Sequence, residues 1–89
     1  MIKVTIPPKQ IICTEFEGGE GILVDLQTKR YYQLNETALL VWQALEHGDA
    51  LEDIVGKLTT VYDIGLAHAR TSIENLLARL ESYRLVHFE

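Results

Sequence analysis

One cysteine, Cys13, cannot close an internal disulfide, so nothing in the chain calls for an oxidising compartment. Cations are scarce as well. Eight Lys and Arg stand against 13 Asp and Glu, a formal net charge of −5, which opposes a nucleic-acid partner because phosphate backbones are held by clustered cations. No apolar run approaches the ~20 residues of a membrane span, and the stretch Met1 to Pro8 lacks the long apolar segment of a signal peptide. A cytoplasmic protein with no membrane partner is expected. The histidines His47, His68 and His87 are far apart and in no ligand spacing with Cys13 or one another, so no metal site and no cofactor are expected. Missing too are G-x-S-x-G, H-E-x-x-H, C-x-x-C and any glycine-rich loop leading from a strand into a helix. Cys13 as a nucleophile would need a neighbouring base or cation that the sequence does not place. Catalysis by this chain is not expected.

What is present fits one folded domain spanning residues 1–89. The chain is 47% hydrophobic and 24% charged, a globular composition, and its length leaves no room for a second core. Ile2, Val4 and Ile6 alternate with Lys3 and Thr5 until Pro7-Pro8 stops the ladder. Ile11 to Phe16 is rich in β-branched residues and runs into Glu17-Gly18-Gly19-Glu20-Gly21, a turn signal. Ile22 to Leu26 alternates again, and after Gln27-Thr28 the run Lys29 to Leu34 reads as a further strand. Consecutive strands joined by short turns predict an antiparallel meander.

The remainder has helical periodicity. Asn35 is a good N-cap, Ala38, Leu39, Val41, Trp42 and Leu45 form an apolar stripe, and Gly48 ends the helix. Asp49 with Glu52 resembles a capping box for a second helix carrying Leu51, Ile54, Val55 and Leu58 and ending near Tyr62. Gly56 within it costs about 1 kcal/mol relative to alanine and suits close packing. A third helix after Gly65 places Leu66, Ala69, Ile73, Leu76, Leu77 and Leu80 inward and ends near Tyr83. Leu85 to Phe88 either forms a terminal strand or packs on the core. The fold class is therefore α+β, a three-stranded antiparallel sheet followed by three helices, on a course like that of a winged helix-turn-helix.

In such a meander the last strand has one neighbour only, leaving the peptide groups of Lys29 to Leu34 open to a further strand. Lys29 and Arg30 would then guard that edge against aggregation, or the edge would capture a peptide by strand addition. Tyr32 and Leu34 face one way, Tyr31 and Gln33 the other.

The segment Gly21 to Trp42 strongly resembles the PqqD-like family: a hydrophobic strand, a turn, the aromatic pair Tyr31-Tyr32, then Leu34-Asn35-Glu36-Thr37-Ala38 and a helix carrying Trp42. The resemblance runs on through Gly48, Ile54, Leu58, Tyr62, the Leu76-Leu77-Leu80 helix and Leu85, covering about residues 11–86. It implies the recognition element of ribosomally made, post-translationally modified peptides, a domain that binds the leader segment of a precursor and presents it to a leader peptidase or other modifying enzyme. It also implies that the leader joins the sheet beside Arg30, Tyr31, Tyr32, Gln33 and Leu34, in a cleft completed by the third helix near Arg70, Ile73, Glu74 and Leu77. Ile73 and Leu77 either offer apolar pockets there or simply pack in the core. Lys29 replaces a glycine common in the family's turn.

Among family members the chain looks most like the discrete leader-binding proteins of lasso-peptide biosynthesis. A peptide chaperone of pyrroloquinoline quinone biosynthesis is the alternative within the family. A winged-helix DNA-binding protein is the alternative outside it, opposed by a third helix holding only Arg70 and Arg79 as cations between Leu66 and Tyr83.

Overall fold

The computed structural model describes residues 4–7 and 10–88. Strand periodicity in the first third resolves into β1 (Val4–Thr5), β2 (Ile11–Glu15), β3 (Gly21–Asp25) and β4 (Arg30–Leu34). Helical periodicity gives α1 (Glu36–His47), α2 (Leu51–Tyr62) and α3 (Leu66–Ser82), before β5 (His87–Phe88) closes the chain. The strands β2, β3 and β4 form an antiparallel meander with β3 in the centre, Ile12 opposite Val24 and Leu23 opposite Tyr32. The terminal strand read at Leu85 to Phe88 is β5, and it pairs antiparallel with β1 in a separate two-stranded sheet, Val4 opposite Phe88. Ile2 and Pro8, read as part of the first strand and its stop, lie outside the described residues.

Both hairpin turns rest on left-handed backbone. In the first, Gly18 (φ 91°) and Gly19 (φ 87°) reverse the chain while Phe16 N–H donates to Glu20 O at 2.7 Å. Gly21, just beyond, is demanded by space, because a Cβ there would lie 2.9 Å from Thr14 O and 3.0 Å from a Leu39 methyl. In the second turn Lys29 takes φ 62° and its N–H donates to Asp25 O at 2.8 Å. Asp25, only 1% exposed, accepts the N–H groups of Gln27 and Thr28 on Oδ1 at 2.9 and 3.3 Å. A glycine would reach the Lys29 conformation without the Cβ penalty, which is the physical sense of the glycine preference at this place.

Helix α1 begins as its sequence implies, with Asn35 Oδ1 accepting from Ala38 N at 2.8 Å, and ends on the left-handed Gly48. Its stripe is buried, Trp42 at 1% exposure and Val41 at 0%. Helix α2 departs from the reading of Asp49 as its cap. The N-cap is Ala50, with no side-chain hydrogen bond, because the Asp49 carboxylate is taken by Lys57 Nζ at 2.6 Å and His47 Nδ1 at 3.2 Å. Hydrogen bonds from Lys57 and His47 hold that carboxyl below its usual range. Gly56 is exposed, and a Cβ there would meet nothing within 4 Å, so it serves no close packing. In α3 the buried line is Ala69, Ile73, Leu77 and Leu80, whereas Leu66 is 59% exposed and Leu76 half-buried. These residues close one core with Leu23, Leu34, Ile54, Leu58, Leu85 and Val86.

Candidate functional site

The open side of β4 is a row of five residues, Arg30 to Leu34, about 17 Å of extended backbone. Which of its peptide groups point outward follows from the ladder on the other side of β3. Leu26 N–H donates to Gln10 O at 2.9 Å and Phe16 N–H to Glu20 O at 2.7 Å, so the groups of β3 that serve β2 are those in phase with Leu26, namely Val24 and Ile22. Alternation assigns Gly21, Leu23 and Asp25 to β4, opposite Leu34, Tyr32 and Arg30. The N–H and C=O groups of Tyr31 and Gln33 are therefore those turned to the free edge. Side chains alternate on the other axis: Tyr32 is half-buried and Leu34 buried, while Tyr31 is 73% exposed on the outer face in line with Val24 and Ile12.

Tyr83, the residue that ends α3, stacks its ring on Tyr32 with centroids 4.7 Å apart and planes inclined by 30°. Counting back from Tyr83 along the helix, Arg79, Leu76 and Ser72 share its side at a spacing of three or four. Ser72, Leu76 and Arg79 line a groove of about 320 Å3 against Asn35 and Thr37, where β4 passes into α1. A second, wider groove lies at the opposite end of β4, between Gln27 and Thr28 of its turn and Tyr83, Arg84 and His87. The edge strand thus runs between two depressions, with the Tyr32–Tyr83 stack between them. The arrangement offers main-chain pairing along one side and a mixed apolar and polar wall on the other.

Of the residues named from sequence for the third helix, Ile73 borders the groove at Asn35, and Arg70, Glu74 and Leu77 do not. Ile73 and Leu77 are 2% and 4% exposed and belong to the core, Ile73 only bordering the groove. Arg70 turns to α2, where its guanidinium donates from both terminal nitrogens to the Glu52 carboxylate at 3.2 Å. That contact raises the Arg70 pKa above its ordinary value, and Glu74 adds to it. Glu74 is exposed. The side that borders the groove was not singled out from sequence, although Ser72, Leu76, Arg79 and Tyr83 form one helical line adjacent to the buried one.

Cys13 is not activated. Burial pushes its thiol pKa up, and the carboxylates of Glu46 and Glu15 push it the same way, keeping it protonated at neutral pH. Among the described residues no group of three or more His, Cys, Asp or Glu could hold a metal ion, and no helix is long and apolar enough to cross a membrane.

A three-stranded meander with its last strand left open beside the last of three helices defines a small α+β domain built around a sheet edge. The family model described as Coenzyme PQQ synthesis protein D (PqqD) matches residues 20–86, and the chain belongs to that family. Two solved structures share the fold. One, described as "Lasso peptide synthetase B1 complexed with the leader peptide", is 27% identical with a TM-score of 0.82, covering 94% of this chain and 96% of that one. The other, "TbiB1 in Complex with the TbiA(beta) Leader Peptide", is 23% identical with a TM-score of 0.85, covering 93% of this chain and 94% of that one. No curated protein matches the sequence.

Proposed function

We propose that this chain acts as a single, non-catalytic recognition domain that binds the leader segment of a ribosomally made precursor peptide and presents it to a modifying enzyme or leader peptidase in lasso-peptide biosynthesis. The observation that carries the reading is the open edge of β4 set beside the Tyr83 end of α3, in a fold shared with a lasso peptide synthetase B1 solved as a leader-peptide complex. The leader adds as a strand alongside Arg30, Tyr31, Tyr32, Gln33 and Leu34, its peptide groups pairing with those of Tyr31 and Gln33. Its side chains enter the grooves lined by Leu76 and Arg79 at one end and by Tyr83 and Arg84 at the other. Ile73 and Leu77 support the wall from beneath, while Arg70, held by Glu52, and Glu74 line neither groove.

The physics suits this task. A mostly disordered leader loses conformational entropy when it orders, so main-chain pairing alone gives little net affinity and a few anchored side chains must supply the rest. Once bound, the precursor's core segment is held at high local concentration near whatever enzyme the domain engages. A disulfide-free, reduced protein suits the cytoplasm, where precursors are made.

The test is a fluorescence-anisotropy titration against the labelled leader of the precursor encoded beside the gene, with a scrambled leader as control. Saturable binding at micromolar level or tighter, absent for the scramble, supports the reading. The family description also favours a second reading, a peptide chaperone for the precursor of pyrroloquinoline quinone. Preference for that precursor over a lasso leader in the same titration would select it.

A further inference from the structure

The chain has an excess of carboxylates, 13 Asp and Glu to eight Lys and Arg, so a cation placed at random finds a partner easily. Lys57 has Asp49 and Arg70 has Glu52. Yet Lys29, Arg30, Arg79 and Arg84 make no ion pair and no side-chain hydrogen bond among the described residues. The fold gathers these unpaired cations around one feature. Lys29 and Arg30 stand at the head of β4, and Arg84 lines the groove beneath the turn that precedes it. Arg79, one turn before Tyr83, lines the groove where β4 ends at Asn35. No carboxylate interrupts β4 itself, and Glu81, which borders the Arg84 groove, accepts the Arg84 backbone N–H on its carbonyl at 2.8 Å and makes no ion pair with the guanidinium.

Gathering like charges costs repulsion, and that cost is offset when a partner of opposite sign arrives. The negative end of α3 accounts for Arg79 and Arg84 in part, but not for Lys29 in the turn and Arg30 at the head of β4. We infer that the segment bound along β4 is an acidic peptide, with carboxylates beside the strand-paired stretch that meet Arg79 and Arg84 at the end of α3 and Lys29 and Arg30 at the head of β4. The inference rests on leader binding at β4 and adds its charge. In a protein of net charge −5, the basic rim also draws an acidic segment to this edge and away from the rest of the surface.

The experiment measures anisotropy with the adjacent precursor's leader and with a neutral copy in which each Asp becomes Asn and each Glu becomes Gln. Each is titrated into the unaltered protein and into the double variant Arg79→Gln/Arg84→Gln, at low and high sodium chloride, with circular dichroism confirming that the variant is folded. The expected result is a roughly three- to tenfold weaker affinity for the neutral leader, and a similar loss for the double variant with the native leader. The two losses should not add, and added salt should erase them. Equal affinity for the native and neutral leaders would overturn the inference while leaving leader binding intact, and the cations would then be guards of the edge. Failure of both leaders to bind the unaltered protein would remove leader binding itself and this inference with it.

Discussion

The rings of Tyr32 and Tyr83 stack at a centroid distance of 4.7 Å, joining the middle of an edge strand to the residue that ends a helix. Such pairs contribute about 1 kcal/mol beyond their buried area. Tyr83→Ala should lower stability by about that amount in urea unfolding and weaken leader binding several-fold, since the wall of the cleft is lost with the ring. Unchanged leader affinity in a folded Tyr83→Ala variant would mean that the leader does not pass this stack.

Proline substitutions separate the two sides of β4. Tyr32 bonds inward to Leu23, so Tyr32→Pro should cost about 2 kcal/mol or more of stability. Gln33 turns its N–H to the open edge, so Gln33→Pro should fold normally while weakening leader binding by roughly tenfold through the lost donor and the ring's bulk. Chemical denaturation and anisotropy measured on the same samples check both halves.

The two hairpins respond oppositely to glycine. Lys29 sits at φ 62°, where a residue with a Cβ loses about 1 kcal/mol, so Lys29→Gly should raise the unfolding midpoint. Gly21→Ala would drive a methyl to 2.9 Å from Thr14 O and 3.0 Å from Leu39, and should cost about 1–3 kcal/mol.

Asp49 supplies a pH signature. Its pKa is lowered in the folded state by hydrogen bonds from Lys57 and His47, so the stability it contributes is present above the ordinary carboxylate value and is lost as pH falls through the depressed one. Asp49→Asn should make stability less dependent on pH across that acidic window, a difference read from urea midpoints taken from neutral pH downward.

Periodicity made most of the fold legible. The stripe from Ala38 to Leu45, the Asn35 cap and the meander were all readable because each depends on neighbours within a few positions. The α2 cap was not, because its competitor Lys57 lies eight residues from Asp49 and reaches it only in the folded chain. In α3, Ile73 and Leu77 were open to either a core or a cleft assignment, since the apolar residues spread over two adjacent lines of the helix. Tyr83 decides between them: the line through Ser72, Leu76 and Arg79 ends on it, and only its stack on Tyr32 reveals that this line borders β4. The outward phase of Tyr31 and Gln33 depends on the hydrogen-bond ladder of β3, which side-chain alternation does not report.

Strand addition at β4 is tested most directly by titrating the labelled leader of the adjacent precursor into the unaltered protein and into Gln33→Pro. Strand addition predicts saturable binding to the first, none for a scrambled leader, and roughly tenfold weaker binding to a folded Gln33→Pro. Equal affinity for the two proteins would contradict it, because no leader strand could then be drawing on the open edge.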